Sequence, residues 1–110
     1  MVNSMDDREL LKLAAYAAGY DVTFEDEYGD VSANGWYPHG YDENGEVINW
    51  WNPLLDDGDA LRLAVKLQLD VFGCGFVEFE KGSIQEGGEP YAATRRAIVR
   101  AAAAIGKDGK

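Results

Sequence analysis

Residues 50–69, WWNPLLDDGDALRLAVKLQL, constrain the fold more than any other stretch of this 110-residue chain. Two tryptophans run into an Asn-Pro turn, the cluster Asp56-Asp57-Gly58-Asp59 follows, and then comes a strongly apolar helical segment. The three aspartates sit where a helix start wants carboxylates, against its free N–H groups and the positive end of its dipole. Beyond them, Ala60, Leu61, Leu63, Ala64, Val65, Leu67 and Leu69 leave Arg62, Lys66 and Gln68 as the polar positions. A helix apolar around so much of its circumference is expected to be a buried element.

The flanking segments build an α+β domain around that helix. Ser4 or Asp6 caps an opening helix, with Asp7 and Glu9 in its first turn and Gly19 as its stop. Leu10, Leu13, Ala14 and Ala17 recur at i, i+3, i+4, i+7, and Leu11, Ala15 and Ala18 widen the stripe. Tyr20, Val22 and Phe24 alternate with polar residues as a half-buried strand turned at Tyr28-Gly29-Asp30. A short strand is expected over Val31–Tyr37, a hairpin-type turn at Asp42-Glu43-Asn44-Gly45, and a return strand over Glu46–Trp51. Asp70–Phe72 and Phe76–Lys81 read as paired strands across Gly73-Cys74-Gly75, and Lys81–Glu89 as a polar loop. A last helix opens at Pro90 and is expected to stop at Gly106, leaving residues 107–110, like 1–4, frayed. Its apolar stripe is Tyr91, Ile98, Ala101, Ala102 and Ile105, with Arg95, Arg96 and Arg100 on the outer face. The order helix, strands, helix, strands, helix predicts one domain with an antiparallel sheet of about four strands covered by helices.

Charge excludes several classes of partner. Residues 1–89 carry 19 Asp and Glu against 5 Lys and Arg, a net of −14, whereas residues 90–110 carry a net of +4, giving −10 overall. Such a surface repels DNA, RNA and anionic membrane, so neither direct nucleic-acid binding nor membrane binding is expected. No apolar run approaches the ~20 residues of a bilayer span. The opening MVNSMDDREL lacks the basic-then-apolar plan of a secretory signal, and the single cysteine, Cys74, fits a reducing compartment. Cytoplasmic residence is the expectation.

Three segments resemble a group of small bacteriophage and prophage proteins, the NinX-like proteins and the related phage αβα-sandwich domains. They are the opening DRELLKLAAYAAGYD, the central WNPLLDDGDALRLAVKL and the closing PYAATRRAIVRAAAAIG, together about half of the chain. The resemblance implies an αβα arrangement and a phage or prophage origin, hence the cytoplasm of a bacterial host. It implies no particular chemistry. The segment YPHGYDENG, residues 37–45, has no counterpart in the group.

The candidate chemistry is sparse. Asp56-Asp57-Gly58-Asp59 does not continue as a calcium loop, because the twelfth residue from Asp56 is Leu67 where a closing Glu is needed. His39 and Cys74 are one of each, too few for a zinc site of about four ligands. The glycines at 73, 75, 87 and 88 lack the Gly-Lys-Ser/Thr of a phosphate loop. No catalytic residue, metal or cofactor is therefore expected. Arg95, Arg96 and Arg100 form one basic patch, either a solvated helix face, one paired with the domain's own acids, or a docking surface for an acidic partner.

The most suggestive stretch is residues 21–52, with eight acids and no Lys or Arg. Glu25, Asp26, Glu27, Asp30, Asp42, Glu43 and Glu46 cluster around two turns, interleaved with aromatics that include Trp36 and Tyr41. A rigid row of carboxylates can imitate DNA phosphates, and exposed aromatics beside it can anchor a protein partner. The expectation is a small non-enzymatic accessory protein that binds a host or phage protein through this face. Inhibition of a nucleic-acid-handling host factor, in the anti-defence manner, is its sharpest form. The alternative is a self-associating structural protein whose basic last helix meets the acidic face of a second copy. A third reading is a small-ligand binder or enzyme using His39 with the Asp56–Asp59 carboxylates.

Overall fold

A computed structural model of the protein describes the backbone of residues 6–26 and 36–109 and the side chains of residues 6–24 and 38–109. Asp6 opens the first helix, α1 (Asp7–Ala18). Its carboxylate accepts from the Glu9 N–H at 2.9 Å while the Glu9 side chain accepts from the Asp6 N–H, a reciprocal capping box. Gly19 ends the helix in the left-handed region. Strand β1 (Asp21–Asp26) pairs antiparallel with β2 (Trp36–Tyr41), and β2 with β3 (Val47–Asn49). The β2–β3 turn is held by the Asp42 carboxylate, which accepts from the N–H groups of Asn44 and Glu46, both at 2.9 Å.

Of the strand expected over Val31–Tyr37, the described residues Trp36 and Tyr37 are in β2, which runs on through Pro38 and Gly40 to Tyr41. Pro38 is accommodated because the register with β3 covers only His39–Tyr41. The turn expected at residues 28–30, the segment 31–35 and a cap at Ser4 lie outside the described residues. The return strand is also shorter than expected. Trp50 adopts φ 59°, which breaks β3 and turns Trp51 inward. Trp51 is buried edge-on against Tyr20 (ring centroids 5.7 Å apart) and Phe24 (6.4 Å).

The Asn-Pro turn then leads to the second helix, α2 (Asp57–Leu67), capped by Asp56 through the Asp59 N–H at 2.8 Å. A second antiparallel sheet follows, β4 (Asp70–Phe72), β5 (Phe76–Phe79) and β6 (Gly82–Gln85), with β5 central. Strand β6 occupies the stretch expected to be a polar loop. Among the described residues two three-stranded sheets thus stand where one sheet of about four strands was expected, within an α+β fold that keeps the expected order of helices.

The last helix, α3 (Pro90–Gly109), runs past Gly106 to Gly109. Gly106 is not a stop but a buried contact, where a Cβ would overlap the Leu13 carbonyl oxygen. The small residues Ala97, Ala101, Ala102 and Ala103 are buried with Leu10, Leu11, Ala14 and Ala15 of α1 in one hydrophobic core. Helix α3 packs against α1, α2 and all three strands of the second sheet. The first sheet joins the core chiefly through β1 on α1 and through Trp51. Among the described residues no helix is long and apolar enough to cross a membrane.

Candidate functional site

Of the four acids of residues 21–52 whose side chains are described, two are engaged within the fold. Asp42 is committed to its own turn, and Glu43 forms an ion pair with Lys66 of α2. That hydrogen bond from Lys66 holds the Glu43 carboxyl below the ordinary carboxylate range. Neighbouring Tyr20 is shifted the other way, upward, by burial first and by the Glu43 charge second. Glu46 is exposed, and Tyr41 is half exposed on the outer side of the first sheet. The side chains of Glu25, Asp26 and Trp36, and all of Glu27 and Asp30, lie outside the described residues.

Of the alternatives for the basic patch, the structure has the one in which the arginines pair with the domain's own acids. Arg95 donates to the Leu54 carbonyl oxygen at 2.9 Å and to Asp57 at 2.6 Å, Arg96 pairs with Asp7 at 3.0 Å, and Arg100 pairs with Glu86. Each arginine ties α3 to a different part of the chain: the start of α2, the start of α1 and the end of the second sheet. The side chains of Arg100 and Glu86 are only 18% and 15% exposed, so their attraction is little screened by water. A sequence reading sees three cations on one helix. Their partners are 38, 89 and 14 residues away and become visible only in the fold.

The aspartates of the central cluster are likewise spent on structure. Asp56 caps α2, Asp57 holds Arg95, and Asp59 accepts from the Asn52 N–H at 2.9 Å and from Arg62 at 2.8 Å. His39 lies on β2, where it shares a shallow depression of about 200 Å³ with Asp21, Thr23 and Tyr41 rather than with these carboxylates. Cys74 is exposed in the β4–β5 turn and belongs to the other sheet. Among the described residues no group of three His, Cys, Asp or Glu side chains could hold a metal ion.

The feature that stands out is apolar. Helix α2 buries Ala60, Leu63 and Ala64 but leaves Leu61 63% and Val65 68% exposed, so it is amphipathic about the core and apolar on its outer side as well. Tyr91, expected within the buried stripe of α3, is 68% exposed. Leu61 and Tyr91 face one another across a groove of about 520 Å³ between α2 and the first turns of α3. Buried Ala60 and Ile98, Val71 of β4 and the Asp57–Arg95 ion pair also line it. Gly75, at φ 86°, brings the neighbouring turn onto α3 by donating to the Thr94 hydroxyl at 3.1 Å.

The position of α3 beside this groove is set by Glu89. Its carboxylate accepts from the N–H groups of Tyr91 and Ala92, both at 2.9 Å, and those bonds hold the Glu89 carboxyl below its usual range. Pro90 follows at the first helical position, where no N–H is needed. The sequence signal for the groove was present in the surplus of apolar residues on α2. A small domain supplies neighbours for one side of such a helix, and the other side is left facing outward. No family model, curated protein or solved structure matches the chain.

Proposed function

We propose that this chain is a small non-enzymatic accessory protein that acts by binding another protein, and that its contact surface is the groove between α2 and α3. The observation that carries the reading is the two-thirds exposure of Leu61 and Tyr91, which both line one groove between two helices, with Val65 exposed one turn beyond Leu61 on α2. Large apolar side chains clustered at the surface mark interaction sites, and helices hold such anchors in place at little entropic cost. Phage or prophage origin, and with it action in a bacterial cytoplasm, rests on the resemblance of the three helical segments.

The acidic-face reading is retained as the second proposal, on one observation. Arg62, Lys66, Lys81, Arg95, Arg96 and Arg100 are each paired with an acid of the chain itself, and the acids still outnumber the bases to leave a net charge of −10, so the field outside is negative. A basic partner, such as a nucleic-acid-handling factor, would be steered toward that field. Self-association through the arginines of α3 is disfavoured, because those side chains already have acidic partners.

The discriminating experiment places a photo-crosslinking residue at Leu61 in one variant and at Glu46 in another, each exposed to bacterial host lysate. A heterologous adduct from position 61 and none from 46 is the expected result. Adducts from 46 alone would move the contact surface to the hairpin and favour the mimic. Adducts of the chain with itself alone would replace both readings with self-assembly.

A further inference from the structure

We infer that the α2–α3 groove seats an amphipathic helix of another protein, one that carries Lys or Arg beside its apolar anchors. The inference rests on the protein-binding reading and adds the chemistry of the partner. The groove walls are stripes of two helices: Ala60 and Leu61 on α2, Tyr91 and Ile98 on α3. Ridges spaced at three, four and seven residues accept the side chains of a third helix, whose anchors recur at the same spacing. A small molecule would fill the base and leave the rims in water. With Leu61 and Tyr91 about two-thirds exposed, an occupant must extend beyond the walls to cover them.

Charge selects among helical partners. Asp57 in the groove lining keeps a side chain 66% exposed, and Glu89 stands exposed one residue before Pro90, close enough to Asp57 and Arg95 to feel both charges. Arg95 and Asp57 cancel as an ion pair, and Arg95 also donates to the Leu54 carbonyl, which leaves Glu89 as the net charge beside this end of the groove. The rim here is therefore acidic beside an apolar groove, complementary to a helix with basic residues flanking its apolar stripe. A second copy of this chain would bring the same acids and a net charge of −10 to the contact, so it is the wrong occupant.

The test titrates the full chain against three labelled peptides at about 0.1 M salt, where the Debye length is ~10 Å. One is a Leu/Lys peptide patterned as an amphipathic helix, the second has the same composition in permuted order, and the third replaces Lys with Glu. Saturable one-to-one binding of the first peptide is expected. Leu61→Ser and Tyr91→Ser should each weaken it at least about tenfold, the scale of losing one anchor. Both sites are exposed, so unchanged thermal unfolding of the variants is expected and checks that they fold. Equal binding of the permuted peptide would reduce the effect to plain charge attraction and overturn the inference. So would binding of the Glu peptide, binding unaffected by either substitution, or no binding at all. A dimer that Leu61→Ser converts to monomer would also overturn it, by showing that a second copy covers the groove. Failure of the peptides alongside an intact heterologous adduct from position 61 would remove this inference alone. Absence of that adduct would remove the protein-binding reading beneath it.

Discussion

Gly106 and Leu13 set how closely the two longest helices approach. The carbonyl oxygen of Leu13 occupies the space a side chain at 106 would need, and it is backbone, so it cannot swing aside. Gly106→Ala should therefore destabilise the fold by about 1–3 kcal/mol, the usual range for overpacking, although alanine is the better helix former. Gly87→Ala, where nothing lies within 4 Å of the added carbon, is the control and should be close to neutral. Denaturant unfolding of the two variants measures both. The pair also illustrates what was legible at this scale. Asp6 and Gly19 were readable as cap and stop because their partners lie within one helical turn. Gly106 resembled a helix stop because glycine has two meanings, and the contact that decides between them is 93 residues away.

Among the elements, α3 shows how a helix start can carry a pH signature. The Glu89 carboxylate is held by two N–H groups, and its folded-state affinity for protons is lowered. A group whose folded value is depressed contributes stability above its unfolded value, and loses it as pH falls through the folded one. Wild type should thus be more stable than Glu89→Gln at neutral pH, and the gap should close as pH falls below the ordinary Glu range near ~4.3. Thermal melts across that range test it, and a gap independent of pH would refute the carboxylate's role. The helices themselves were legible from apolar period and capping residues. Their outward faces were less so: α2 was expected to be a buried element, and the arginines of α3 to lie on its outer face, either solvated or paired with the domain's own acids, of which the structure has the pairing. Both expectations counted residue types along one helix, whereas exposure depends on how many neighbours a small domain can supply.

At the scale of the molecule the two sheets are unequally secured. The second packs directly on α3, while the first is held chiefly by β1 on α1 and by Trp51. Local opening is easiest where few buried contacts resist it. Amides of His39–Tyr41 and Val47–Asn49 should accordingly exchange with solvent before those of residues 10–15 and 97–103. Hydrogen exchange read by mass spectrometry or NMR checks this, and the reverse order would mean that the first sheet is better anchored than its packing indicates. The division into two sheets was hidden because Gly82–Gln85 has no apolar alternation, its place in β6 being set by pairing with β5. Helix α3 also has a consequence for synthesis. The elements it packs against, α1, α2 and the second sheet, emerge from the ribosome before it does. Their apolar faces must wait for residues 90–109, so the core closes late, and the nascent chain is most in need of a chaperone just before its last helix appears.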